Sequence, residues 1–239
     1  MLDVDGFDLV EVTPTEGVTL TARDATHDIE MVREIWGDRY YDIGAGWEVK
    51  PGDTVLDLGG GIGAFAVYAV EQGAAAVWTY EPVESSYALL ERNTRSRPPV
   101  HATRAAVVAD DVPTVRMDAA FALMDTTLNV PNTGLPRVSP DGDTEVPAVS
   151  LVDVLALAER WDYVKIDIEG GEYPLFDVVS DEDLDRIGLI TMEFHHDNES
   201  TTRQRGLDLG ASLMARGFGV VEVGWAFGTQ GRLRARRTP

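Results

Sequence analysis

The chain has 239 residues, enough for one domain or for one domain with a modest extension. It contains no cysteine, which excludes disulfides, thiolate metal sites and a cysteine nucleophile. Its 41 acidic residues against 20 basic ones give a formal net charge of −21, an acidic excess that disfavours nucleic-acid partners and predicts adaptation to a salt-rich cytoplasm.

Residues 1–50 read as an N-terminal cap within the same domain: a β-hairpin (FDLVEV, GVTLTA), then a helix around HDIEMVREIWG. The opening MLDVDGFDLVEV lacks the basic and apolar regions of a signal peptide, and no run reaches the roughly 18 apolar residues of a membrane span. The expectation is a soluble, cytoplasmic protein. From residue 51 to 239 strand-like and helix-like segments alternate, the pattern of an α/β domain with a mainly parallel sheet. TVLDLG (54–59) reads as the first strand, AFAVYAVEQGA (64–74) as a helix, AVWTYEP (76–82) as the second strand and SSYALLERN (85–93) as the next helix. VHATRAAVVA (100–109) reads as one continuous third strand, with VPTVRMD a hairpin arm after it. Residues 119–148, rich in Pro, Gly, Asp and Thr, predict a long irregular loop suited to act as a substrate lid. VSLVDVLALAER (149–160) is expected to be helical, YVKIDIEG (163–170) and GLITMEFHH (188–196) to be strands four and five. TTRQRGLDLGASLMARG (201–217) predicts a helix and FGVVEVG (218–224) a final strand, leaving RLRARR as a solvated tail.

The turn DLGGGIGAF, from Asp57 to Phe65, fits two cofactor signatures. Gly59, Gly61 and Ala64 match the G-x-G-x-x-[GA] turn of dinucleotide sites. Gly59, Gly61 and Gly63 match the G-x-G-x-G turn of S-adenosylmethionine sites. Asp57 stands where a dinucleotide fold usually places an apolar residue; it could orient the turn or meet the ammonium of S-adenosylmethionine. Glu81 ends the second strand and could accept both ribose hydroxyls of an adenosine, which suits either cofactor.

A longer pattern narrows the choice. The stretch from Pro51 to Asn93 carries PGD-x-V-x-D-x-G and then the acidic pair Glu81-Pro82, and it resembles the start of the catalytic domain in FkbM-type methyltransferases. KIDIEGGE is similar to that family's second signature, and ITMEFHH to its E-x-H strand end. The resemblance spans about residues 40–225. Gly60 and Gly61 replace a commoner Ala-Asn pair, and 119–148 has no clear counterpart, which leaves the substrate open. The resemblance implies a Rossmann-like class I methyltransferase fold, with a mainly parallel seven-stranded sheet and helices on both faces. It implies S-adenosylmethionine as cofactor, held by Asp57, Gly59, Gly61, Gly63, Glu81 and Pro82. Tyr40 and Tyr41 precede the first signature strand; either could line the cofactor's amino-acid end, a place assigned to Tyr41, and core packing is expected of at least one.

The expected reaction is methylation of a hydroxyl on a small molecule or glycan, so an acceptor proton must leave. A neutral histidine suits that task. His195 is the expected base, assisted by Glu193 or Glu169, with Asp167 orienting the acceptor. Lys165, Asp167 and Glu169 alternate along strand four, where a Lys165–Asp167 ion pair is the purely structural account. Glu172 is expected to open a helix. Asp167, Glu169, Glu193, His195, His196 and Asp197 could converge on a metal, but they lack characteristic spacing and no metal is expected. The alternatives are an NAD-dependent oxidoreductase, an RNA methyltransferase on the same fold, and a non-catalytic S-adenosylmethionine-binding protein.

Overall fold

The structure is a computed structural model, and it describes residues 6–42, 44–118, 124–125, 130–131, 137–195, 199–225 and 230–238. The N-terminal segment gives β1 (Leu9–Thr15), β2 (Val18–Arg23) and α1 (Asp28–Trp36). There follow β3 (Thr54–Leu58), α2 (Ala64–Glu71), β4 (Ala76–Tyr80), α3 (Glu84–Thr94), β5 (Val100–Thr103) and β6 (Ala106–Val108). Next come β7 (Thr114–Asp118), β8 (Met124–Asp125), β9 (Val130–Pro131), β10 (Arg137–Val138), β11 (Thr144–Ser150) and α4 (Leu151–Leu155). The chain continues through β12 (Tyr163–Ile166), α5 (Glu172–Val178), α6 (Asp181–Asp185) and β13 (Leu189–His195). It closes with α7 (Glu199–Ala215), β14 (Val220–Trp225) and β15 (Gln230–Arg236).

The main sheet has seven strands in the order β14-β15-β13-β12-β3-β4-β5. From β13 to β5 every pairing is parallel, and β15 runs antiparallel to both neighbours. Parallel strands covered on both faces need apolar side chains on both, and every residue of Tyr163–Ile166 is buried. One face packs on α2, α1 and β2 through Phe65, Val67, Leu20 and Ile35. The other packs on the later helices through Leu155, Leu175, Phe176 and Leu213. Among the described residues, no helix is long and apolar enough to cross a membrane.

The chain departs from the sequence expectations in three regions. The first concerns RLRARR, which is no tail: it forms most of β15, inserted between β13 and β14. Leu233 and Ala235 are fully buried, while Arg232 lies over the Tyr40 ring and Arg234 and Arg236 over Trp47. A strand's period of two separates these faces, and the aromatic rings accept the cations. The run read from 218 to 224 is therefore an edge strand, not the last one.

The second concerns VHATRAAVVA, which breaks at Arg104-Ala105. β5 stays in the main sheet, whereas β6 joins a second, four-stranded sheet of order β10-β7-β11-β6. β11 and β10 come from the stretch expected to be an irregular loop; 119–123, 126–129 and 132–136 of it lie outside the described residues. The helix expected over 149–160 shrinks to α4, because Val149 and Ser150 pair with β6 and the Ser150 hydroxyl caps the helix by accepting from the Asp153 N–H at 3.1 Å. The third concerns strand four, which stops at Ile166, so Asp167 and Glu169 lie beyond regular structure.

The N-terminal segment is tied to α3 by buried polar groups. Arg23 is 1% exposed; it forms an ion pair with Asp28 at 2.8 Å and donates to Ser86 Oγ at 2.9 Å. Asn93 of α3 stitches in β2, accepting from the Thr21 N–H and donating to the Thr21 carbonyl. Buried charges and amides persist only when so paired, so these bonds fix where the hairpin sits.

Candidate active site

The site begins where β3 ends. Gly59 and Gly60 donate their N–H groups to the Tyr80 carbonyl, pulling the turn against β4. At Gly59, with φ of +81°, a Cβ would stand 1.7 Å from the Asp167 carbonyl oxygen, so glycine is demanded by the close passage of two backbones. Gly61, with φ of +53°, faces Met31, whose sulfur would lie 3.0 Å from an added Cβ. Gly63 is the left-handed N-cap of α2.

Glu81, just beyond β4, holds the turn. Its Oε2 accepts the Gly61 N–H and its Oε1 the Val83 N–H, each at 2.9 Å. Burial pushes its carboxyl up to about 7 against those two bonds. Asp57 is fully buried behind the turn and committed elsewhere: it accepts from Thr79 Oγ1 at 2.9 Å and lies 3.2 Å from Lys165 Nζ. Lys165 also donates to the Gly59 carbonyl at 2.7 Å. The ion pair with Asp167 is present at 3.9 Å, but the nearer acid is Asp57 from β3.

Carboxylates cluster beyond β12. Glu169 has φ of +57°, a strained turn entry ahead of Gly170. Glu172 does open α5, yet it is fully buried and accepts from the Gly170 N–H at 3.0 Å. His195, at the end of β13, meets Glu172 through Nδ1 at 3.1 Å; Glu169 and Glu193 both lie 3.5 Å from Nε2. Burial alone would lower its pKa, but Glu172, Glu193 and Glu169 outweigh that and push it up to about 12. These three carboxyl groups therefore favour the protonated imidazole, against the neutral base expected. Glu169 is raised to about 8, chiefly by burial, with Asp167, Glu193 and Glu172 adding to it and His195 opposing. Asp167, Glu169 and His195 offer ligating atoms within 4.8 Å of one another, a spacing that would admit a small cation in place of the imidazole proton. His196 and Asp197 lie outside the described residues.

A cavity of about 290 Å³ runs along this strand edge and brings together Gly59, Gly61, Glu81, Pro82, Asp167 and Glu169. Asp57, Gly63, Tyr41, Glu193 and His195 are not in its wall. Tyr41, expected beside the cofactor, instead donates its hydroxyl to Asp167 Oδ2 at 2.6 Å. Sequence reasoning missed two walls. Arg23, His27 and Met31 reach in from the N-terminal segment, and Val107, Val115 and Met117 form an apolar side on the second sheet. Apolar alternation in VPTVRMD was the one available signal for the second wall.

Comparison with known proteins fits this arrangement. Residues 57–215 match the model of the Methyltransferase FkbM domain. The chain is 30% identical over 210 residues to the 31-O-demethyl-FK506 methyltransferase FkbM of Streptomyces tacrolimicus, covering 75% of this chain and 79% of that protein. Among solved structures, TYW2 of M. jannaschii in complex with AdoMet superposes with a TM-score of 0.50 at 13% identity, over 96% of this chain and 87% of that one. The METTL16 MTase domain also gives a TM-score of 0.50, at 11% identity, over 98% of this chain and 74% of that one. These two likenesses speak for the fold alone. The glycine turn and the acidic strand end fall within the matched residues, and the chain belongs to the FkbM methyltransferase family and is an S-adenosylmethionine-dependent methyltransferase.

Proposed function

We propose that the enzyme methylates a hydroxyl oxygen of a small molecule or glycan, and that Asp167 and Glu169 handle the departing proton. One observation carries this reading: a single cavity joins the Glu81-backed glycine turn to two carboxylates beyond the end of β12. The residues present fit S-adenosylmethionine. Each Glu81 oxygen gives one lone pair to a backbone N–H and keeps another for a ribose hydroxyl. Asp167 Oδ1 is buried without a hydrogen-bond partner, an acceptor that a ligand would satisfy.

When bound, the cofactor supplies an activated methyl on a positively charged sulfur. The chain's own residues then have to orient the acceptor, exclude water and receive a proton. Asp167 Oδ1 is the hydrogen-bond acceptor that orients the hydroxyl. Glu169, raised to about 8, is matched to take and release a proton near neutral pH. His195 serves as the cation that lets Glu169, Glu172 and Glu193 stand together. The name of the 31-O-demethyl-FK506 methyltransferase supports an oxygen acceptor on a small molecule. The net charge of −21 supports a partner other than nucleic acid and a salt-rich cytoplasmic setting.

The test is transfer of label from methyl-labelled S-adenosylmethionine to hydroxyl-bearing macrolides and glycans, set against amines and RNA. Label on a hydroxyl acceptor is expected, with a ~10²–10⁴-fold loss in Glu169→Gln while S-adenosylhomocysteine still binds. Label confined to amines or RNA would overturn the reading.

A further inference from the structure

We infer that Tyr41 is a positioning residue: by taking one oxygen of Asp167 it holds that carboxylate in one orientation where the residue lines the cavity. The inference rests on the reading of Asp167 as the carboxylate that faces the acceptor. Asp167 stands past the end of β12, fixed by its backbone through a 3.0 Å bond from its N–H to the Leu58 carbonyl. That leaves the carboxylate free to turn about its own side-chain bonds. The Tyr41 hydroxyl, donating to Oδ2 at 2.6 Å, removes this freedom. Oδ1 is left buried and without a hydrogen-bond partner. Lys165 contributes less, because it lies 3.9 Å from Oδ2 and makes its short contacts with Asp57 and the Gly59 carbonyl.

Tyr41 is itself held at both ends. Its carbonyl accepts from the Tyr163 hydroxyl at 2.9 Å and from Thr191 Oγ1 at 3.1 Å. These buried hydroxyls come from β12 and β13, the two strands whose ends carry the carboxylate cluster. The ring packs edge-on against Tyr40 and Phe65, with centroids 5.1 and 5.7 Å away. Burial, and then the Asp167 charge, raise the phenol well above its ordinary pKa, so it remains a donor. Packing alone would be met by phenylalanine. The hydroxyl and the two carbonyl anchors are what a fixed donor requires, in a loop residue that belongs to no strand or helix.

The test needs no acceptor. S-adenosylhomocysteine lacks the methyl, whereas sinefungin carries an amine-bearing carbon in place of the sulfur and its methyl. Its preference over S-adenosylhomocysteine therefore reads an oriented carboxylate at that point. Calorimetry with both ligands on the wild type, Tyr41→Phe, Asp167→Asn and the double variant forms a cycle. Tyr41→Phe is expected to keep its affinity for S-adenosylhomocysteine and to lose sinefungin preference by ~10-fold, the scale of one charge-assisted hydrogen bond. Asp167→Asn should lose at least as much, and the double variant no more than Asp167→Asn alone. Unchanged preference in Tyr41→Phe with loss in Asp167→Asn overturns the role of Tyr41 and leaves Asp167 in place. Unchanged preference in Asp167→Asn overturns both. A parallel fall in affinity for both ligands in Tyr41→Phe makes the residue merely structural and also overturns the inference. Should Tyr41→Phe not fold, Thr191→Val removes one carbonyl anchor; it should lower the preference by a smaller factor that Thr191→Ser restores, and a flat preference there overturns it too.

Discussion

Removing Glu81 should weaken cofactor binding for two reasons that one measurement can separate. The carboxylate is 7% exposed and accepts two backbone N–H groups of the glycine turn and its neighbour. Glu81→Ala leaves both donors without their partner, at ~1–3 kcal/mol each where water does not replace it. The turn loosens, and affinity falls whether or not the ribose is touched. If the remaining lone pairs do hold the ribose, a further ~1.5–3 kcal/mol per hydroxyl is lost, or ~10–150-fold each. Calorimetry with S-adenosylhomocysteine and its 2′-deoxy analogue isolates that second part. The wild type should favour the hydroxylated ligand by that factor, and Glu81→Ala should bind both weakly and nearly equally. Equal discrimination in the two proteins would refute the ribose assignment, however far the overall affinity fell.

Three further outcomes follow from charge and burial. At a net charge of −21, carboxylate repulsion should make the fold least stable at low salt, the melting temperature rising as the Debye length shortens from ~30 Å at 0.01 M to ~3 Å at 1 M; a flat or falling profile would sink the halophilic reading. Folded Glu81 and Glu169 hold their protons to about 7 and about 8, above the ordinary 4.5, so the folded state binds more protons than the unfolded one across that window. His195, raised from 6.5 to about 12, adds the same sign above 6.5. Stability of the ligand-free protein should therefore fall as pH rises from about 5 to about 8, by ~1.4 kcal/mol per pH unit for each extra proton held, and denaturant melts showing a rise would contradict this. Leu233→Asp places a charge at a fully buried position of β15 and should cost at least ~3 kcal/mol in denaturant titrations, where a solvated tail would show none.

The elements that were legible in the sequence are those whose neighbours match their own pattern. TVLDLG and AVWTYEP are short apolar runs bounded by turns, and they became adjacent buried strands. RLRARR was not legible, because half its residues are arginines that find Tyr40 and Trp47 only once the chain has folded. The second sheet was hidden for a related reason: Pro147 sits inside β11, paired with Thr114 on β7, and proline usually argues against a strand. In the site, residue types at strand ends could be read, but their charge states could not. The fate of His195 depends on Glu172, which lies 23 positions away and looked like an ordinary helix opener. Arg23 escaped notice because Asp28 is local to it, while Ser85 and Ser86 arrive from α3.

The glycine turn shows why a motif underdetermines its ligand. Gly59 is required by the Asp167 carbonyl, and Gly61 takes a φ of +53°, so both glycines answer to this protein's own backbone before any cofactor arrives. A turn that tight is available to any ligand able to use a strand end and a helix start, which is why two signatures fitted it equally well. Discrimination lies one level higher, in which side chains the parallel order of β12, β3 and β4 delivers to the same edge. Glu81 arrives from one neighbouring strand and Asp167 and Glu169 from the other, with Lys165 bridging Asp57 to the Gly59 carbonyl behind them. The acidic side chains in the cavity wall, Asp28, Glu81, Asp110, Asp167 and Glu169, favour a ligand that brings hydroxyls and a positive centre over the pyrophosphate of a dinucleotide. Neutralising Asp167 should accordingly weaken binding of a cationic cofactor analogue more than that of a neutral one. That ordering holds whatever the acceptor is.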